Sequence, residues 1–175
     1  MPKISFIFSL LTLICFSLFI LGGYGCKSQP KTPFSDCSYG APKPIFSKEW
    51  PAVSTQAFRL TAKEGIEQIE FTNGVSLELI QTGCDHITQD FTFSLPLEEI
   101  DDQPNFWIAQ AIRQLQYLAQ VDESLMPFQF WAQAIQNAAP QIKLSAPFTL
   151  EGSIQVTIDR IVSVDGAQLL LTLKQ

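Results

Sequence analysis

The stretch Phe58-Arg59-Leu60-Thr61-Ala62-Lys63-Glu64-Gly65-Ile66-Glu67-Gln68-Ile69-Glu70-Phe71-Thr72-Asn73-Gly74-Val75-Ser76-Leu77-Glu78-Leu79 decides the fold of this chain. Phe58, Leu60 and Ala62 alternate with polar residues, as do Glu67, Ile69 and Phe71, and then Val75, Leu77 and Leu79. Successive side chains along a strand point to opposite sides, so each set lies on one face of a strand. Two turn signals divide the sets, Lys63-Glu64-Gly65-Ile66 and Asn73-Gly74. A two-residue loop at Asn73-Gly74 would set Ile69 against Glu78, apolar against polar. A three-residue loop from Thr72 to Gly74, with Gly74 in the left-handed conformation, pairs Phe71 with Val75 and Ile69 with Leu77, which keeps one face apolar and is the register expected. Read the same way, the first turn sets Phe58 against Phe71 and Leu60 against Ile69. A fourth strand, Phe91-Thr92-Phe93-Ser94-Leu95, ends at Pro96 and completes an antiparallel meander with one buried face.

Beyond Pro96 the apolar period lengthens to that of a helix. Leu97-Glu98-Glu99-Ile100-Asp101-Asp102 leads into Pro104, with Asp101 or Asp102 suited to cap and Pro104 to the first turn. Ile108, Ala111, Ile112, Leu115, Leu118 and Ala119 form the buried stripe. A second helix, capped by Asp122 or Ser124 with Pro127 in its first turn, carries Phe128, Trp131, Ala132 and Ile135 inward, and the short connection makes a helical hairpin. Strand periodicity then returns. Ile142, Leu144, Phe148 and Leu150 precede Glu151-Gly152, and Ile154, Val156 and Ile158 alternate up to Asp165-Gly166. A two-residue turn there pairs Val164 with Ala167 and Val162 with Leu169, and it sets Arg160 opposite Leu171, a strong charge among apolar neighbours. The expected class is α+β: an antiparallel sheet of about seven strands (four-strand meander, helical hairpin, three C-terminal strands) with both helices packed on one face.

The N-terminus carries different information. Lys3 is followed by an apolar run from Ile4 to Leu21, then by Gly22-Gly23-Tyr24-Gly25-Cys26. A charged start, an apolar core and small residues at a cleavage point are the parts of an export signal. With Gly23 and Gly25 at the small positions and Cys26 next, the first 26 residues resemble a bacterial lipoprotein signal. The resemblance implies cleavage before Cys26 and acylation of that residue. Because Lys27 rather than Asp follows, it also implies an outer membrane destination facing the periplasm. Two other readings stay open: ordinary signal-peptidase cleavage leaving a free Cys26, and an uncleaved anchor, since about 18 apolar residues lie at the lower edge of what spans a bilayer. All three put residues 27–175 on the far side of a membrane. The expected organisation is a signal peptide over 1–25, a lipidated Cys26 with a Pro-rich tether over 26–52, and a single domain over 53–175. The tether holds Pro30, Pro33, Pro42, Pro44 and Pro51, and its second half has reason to lie on the domain because Cys37, Tyr39, Phe46 and Trp50 need cover.

If Cys26 is acylated and Cys15 is removed with the signal, Cys37 and Cys84 are left to pair. Such a bridge closes a loop of about 47 residues and contributes roughly 3 to 4 kcal/mol. Charge divides at Lys48: from Cys26 to that point four lysines face Asp36 alone, whereas from Glu49 onward 16 acidic residues face six basic ones. An acidic domain without a basic patch disfavours nucleic acid as a partner and favours a basic protein.

Chemistry-bearing clusters are few. Gly83-Cys84-Asp85-His86 contains the sole histidine, and a Cys-His pair is how thiol nucleophiles are activated. Alternate residues of a strand sit some 6 to 7 Å apart, however, so proton transfer would need a bend at Gly83, and a structural disulfide is the simpler reading. Glu98-Glu99 with Asp101-Asp102 suits helix capping better than calcium chelation. No zinc-ligand spacing, nucleophile elbow, phosphate loop or dinucleotide glycine pattern occurs, so no catalytic residue, metal or cofactor is expected. Three residues remain as candidates for ligand or partner contact. They are His86, Arg160, which either receives an anion or snorkels with its stem on apolar residues, and Phe130, which points away from Phe128 and Trp131. The function expected is an exported, lipid-anchored envelope binding or accessory protein that presents an acidic domain to a protein partner. A carrier of an apolar ligand or lipid is the alternative, and a thiol-dependent enzyme using Cys84 and His86 the third reading.

Overall fold

A computed structural model describes residues 33–96, 100–101, 103–150 and 153–175. Cys15, Cys26 and the rest of the signal segment, together with Glu98-Glu99, Asp102 and Glu151-Gly152, lie outside the described residues. Strands β1 (Val53–Leu60), β2 (Glu64–Phe71), β3 (Ser76–Thr82) and β4 (Thr88–Leu95) precede helices α1 (Pro104–Val121) and α2 (Pro127–Ala138). Strands β5 (Phe148–Thr149), β6 (Gln155–Ser163) and β7 (Gly166–Lys174) follow. All seven join one antiparallel sheet in the order β1-β2-β3-β4-β7-β6-β5. The class is α+β, as the apolar periods imply. The helical hairpin carries the chain from the middle of the sheet to its far edge, and β6 and β7 return it to lie against β4.

One face of the sheet is the core. Ile69, Phe71, Leu77, Leu79, Phe91, Phe93, Leu169 and Leu171 are buried there beneath Trp107, Leu115 and Leu118 of α1 and Phe128 and Ile135 of α2. Phe128 meets Phe91 edge-on at 5.7 Å, and Tyr117 of α1 meets Phe71 at 5.2 Å, so each helix is keyed to a different part of the sheet. Pro104 occupies the first turn of α1, after Gln103 as cap; Asp101 contributes by accepting the Gln103 N–H at 2.9 Å. Asp122 caps a single 3-10 turn (Glu123–Leu125) through the Ser124 N–H and hydroxyl, and α2 starts afresh at Pro127.

The β2–β3 register is as expected: Ile69 faces Leu77, the Phe71 N–H donates to the Val75 carbonyl, and Gly74 takes φ +85°. Two other registers are corrected. In β1–β2, Phe58 opposes Glu67 and Leu60 opposes Gly65, while Val53 and Gln56 are the partners of Phe71 and Ile69. The turn closes earlier than Gly65 suggests, because the Thr61 hydroxyl accepts the Lys63 and Glu64 N–H groups at 3.2 and 3.1 Å. In β6–β7 the turn is Val164-Asp165 rather than Asp165-Gly166, so Arg160 opposes Leu169, not Leu171, and Val162 opposes Ala167. Ser163 holds this turn, accepting the Asp165 N–H and donating to the Gly166 carbonyl.

Candidate functional site

Polar residues on the buried face of the β1–β3 end are explained by the Pro-rich segment, which lies on the sheet as a strap. Glu67 is 0% exposed. Its Oε2 accepts the Ile45 N–H at 2.8 Å, and its Oε1 accepts the Phe46 N–H at 3.0 Å and the Gln56 side-chain amide at 2.8 Å. The Gln81 amide donates to the Lys43 carbonyl at 2.8 Å. Gly65 has no side chain to stop Pro42 approaching, since a Cβ there would stand 2.7 Å from the Pro42 Cβ. Phe46 is buried against Phe71 and Trp50. Burial pushes the Glu67 carboxyl above the usual carboxylate range, against the opposing pull of the Ile45, Gln56 and Phe46 donors.

A disulfide between Cys37 and Cys84 fixes the other end of the strap, with the Tyr39 N–H donating to the Cys84 carbonyl. Tyr39 itself stays exposed, its backbone N–H rather than its ring meeting the Cys84 loop. The bridge occupies the sulfur that a thiol nucleophile at Cys84 would need. His86 is exposed in the adjoining loop, next to Asp85, whose carboxylate accepts the Ser38 hydroxyl at 2.8 Å. Gly83 is indispensable to this loop: it has φ +113°, and a Cβ would fall 1.7 Å from the His86 carbonyl oxygen.

The other two candidates are elsewhere, so the three form no common site. Arg160 lies on the apolar face with its guanidinium carbon 5.9 Å from the centre of the Trp107 ring, a cation–π contact that serves a partly desolvated arginine. The Trp107 Nε1 is buried without a hydrogen-bond partner among the described residues. Phe130 is 69% exposed on α2 and borders a depression of about 420 Å³ between that helix and β5. Among the described residues no group of three or more metal-ligating side chains occurs, and no helix is long and apolar enough to cross a membrane.

Two features were not anticipated. One is a cleft of about 590 Å³ between α1 and the β2–β3 turn. Gln110 and Gln114 line it, only 4% and 6% exposed. Among the described residues neither side chain has a hydrogen-bond partner, and neither amide is sealed from solvent, so both remain open to a ligand in the cleft. Their signal in the sequence is their i, i+4 spacing on the same side of α1 as Trp107, Ala111 and Leu118.

The second feature is the helix-free face of the sheet. Its outward positions carry Glu64, Glu70, Glu78, Asp90 and Asp159 against Arg59 and Lys174, between small Thr and Ser side chains and the half-buried Ile66, Ile80 and Leu170. The Gln68 amide donates to Glu78 at 3.0 Å and the Thr172 hydroxyl to Asp90 at 2.6 Å, so these carboxylates are held in place rather than free to swing. A shallow depression of about 390 Å³ runs across this face beside Glu70 and Glu78. No protein-family model, curated protein or solved structure matches the chain.

Proposed function

We propose that the chain is an exported, lipid-anchored envelope protein whose domain offers the helix-free face of its sheet to a basic protein partner. The observation that carries this reading is the five carboxylates against two bases on one sheet face that no described helix covers. A field of one sign steers oppositely charged partners and raises their association rate. The flanking Thr and Ser hydroxyls add short polar contacts. The Pro-rich strap and its disulfide hold the N-terminal side of the domain firmly, so a lipid on Cys26 would tether the platform through a short leash. Opposing charge ahead of the domain, Lys27 and Lys31 before the strap and Lys43 and Lys48 within the Pro-rich segment, suits an anionic membrane surface.

The test uses the immobilised full chain and an envelope extract. Basic proteins are expected to be retained at low salt by the wild type, released at about 1 M salt where the screening length is about 3 Å, and not retained by the Glu70→Lys, Glu78→Lys double variant. Retention that survives both the salt and the charge reversal refutes the reading.

A further inference from the structure

We propose that the cleft between α1 and the β2–β3 turn binds a short, extended peptide that ends in a free carboxylate. Its volume, about 590 Å³, falls within the range of small-ligand sites, about 300–1,000 Å³. One stripe of α1 forms a whole wall: Phe106 and Tyr117 at its two ends, Gln110, Arg113 and Gln114 between them. Gln110 and Gln114 are the informative pair. Each is more than nine-tenths buried as a residue, has no side-chain hydrogen-bond partner among the described residues, and lines the cleft. A carboxamide offers one acceptor oxygen and one NH₂ donor group, the complement of the C=O and N–H of a peptide group. Four residues of helix separate the two side chains by about 6 Å along the axis, close to the roughly 6.6 Å repeat of alternate residues in an extended chain. Two glutamines in this arrangement can each read a backbone amide on the same edge of one peptide. An aliphatic ligand would leave both unsatisfied, which sets this cleft apart from a lipid pocket.

Arg113 supplies the second requirement. It is the sole charged residue among the described residues lining the cleft, and it is a cation in an acidic domain. A planar guanidinium beside two neutral amides matches a terminal carboxylate. The stripe from Phe106 to Tyr117 spans about 16 Å, which about five extended residues cover, with apolar side chains against the two rings. The site lies on the helix side of the sheet, so it stands or falls separately from the acidic platform.

The full chain in detergent, labelled with ¹⁵N, is titrated with N-acetyl-Leu-Ala-Leu-Ala carrying a free carboxylate, with the same peptide as its C-terminal amide, and with an N-acetylglucosamine trimer. The expected result is saturable movement of the Gln110 and Gln114 side-chain amide signals by the free acid, with affinity about tenfold above the amidated peptide. Arg113→Gln, an exposed substitution, should erase that preference while leaving the fold intact. Gln110→Leu with Gln114→Leu should abolish binding without lowering the urea midpoint, because among the described residues neither amide has a hydrogen bond to lose. The proposal is overturned if no signal saturates by about 1 mM peptide. It is overturned equally if the sugar trimer moves the signals and the peptide does not, or if acid and amide bind alike. Should the double leucine variant unfold, the Arg113→Gln comparison still decides.

Discussion

Replacing Glu67 with leucine should release the Pro-rich strap. In the native state this carboxylate accepts the backbone N–H groups of Ile45 and Phe46 and the Gln56 amide, all within 3.0 Å. Leucine leaves two backbone donors and one amide without an acceptor, at about 1–3 kcal/mol for each group that stays buried. That loss has a ceiling, because the strap can lift and hydrate its donors at the cost of Phe46 burial, about 2–3 kcal/mol. Removing a buried charge returns part of the difference. The net expectation is about 3 kcal/mol, or a Tm lower by roughly 6–12 °C in a domain of this size. Glu67→Gln keeps one acceptor oxygen but turns an NH₂ toward the Ile45 N–H, so about 1–2 kcal/mol is expected. Urea titration gives the free energies, and hydrogen exchange at the Ile45 and Phe46 amides reports the strap directly. The pH dependence has a definite sign. Since burial raises the folded pKa above 4.5, the group's contribution is fully present below that value and is lost as pH rises through the folded pKa. Wild type should therefore weaken over that window relative to Glu67→Gln, which has nothing to titrate. A Glu67→Leu cost under about 1 kcal/mol, with Ile45 and Phe46 still protected, refutes the strap reasoning.

Three further outcomes follow from the same geometry. The Cys37→Ser, Cys84→Ser double variant opens a 47-residue loop and should lose up to about 4 kcal/mol by urea titration, with faster exchange confined first to the strap. Gly83→Ala drives a Cβ into the His86 carbonyl at a left-handed position and should cost about 1–3 kcal/mol; Gly74→Ala, at φ +85° with open space around it, should cost less, by thermal melts. Asp122→Ala removes the acceptor for the Ser124 hydroxyl and N–H and should lower the urea midpoint at neutral pH. Because hydrogen bonds from the Ser124 hydroxyl first and its N–H second depress the Asp122 pKa, the contribution is present above 3.8 and disappears as pH falls through the folded value, so wild type and variant should converge in acid.

How far the fold could be read from the residues depended on whether a local pattern had a local cause. Asn73-Gly74 forces a left-handed glycine, and the flanking alternation left one sensible pairing, so β2–β3 was legible. The β1–β2 pairing was not, because two residues there answer to a distant segment. Gly65 looks like a turn glycine but makes room for Pro42, and Glu67 looks like an ordinary strand carboxylate but holds the strap backbone. Asp165-Gly166 misled in a related way: Gly166 does not use the left-handed region, and Ser163 places the turn one residue earlier. The Cys37–Cys84 pairing follows from the parity of the thiols once Cys15 and Cys26 are set aside. Arg160 was legible as a charge on an apolar face, though its partner, the Trp107 ring, lies on another element. The cleft leaves no mark on the apolar period, because its informative members are glutamines.

The intact mass of the protein taken from the native membrane fraction tests the account most directly, since it reports cleavage, acylation and disulfide state together. The account predicts a chain beginning at Cys26, heavier by its acyl groups and lighter by the two hydrogens of one disulfide, with no thiol left to alkylate. A chain beginning at Cys26 without added lipid and with one reactive thiol would contradict it, as would an uncleaved chain beginning at Met1.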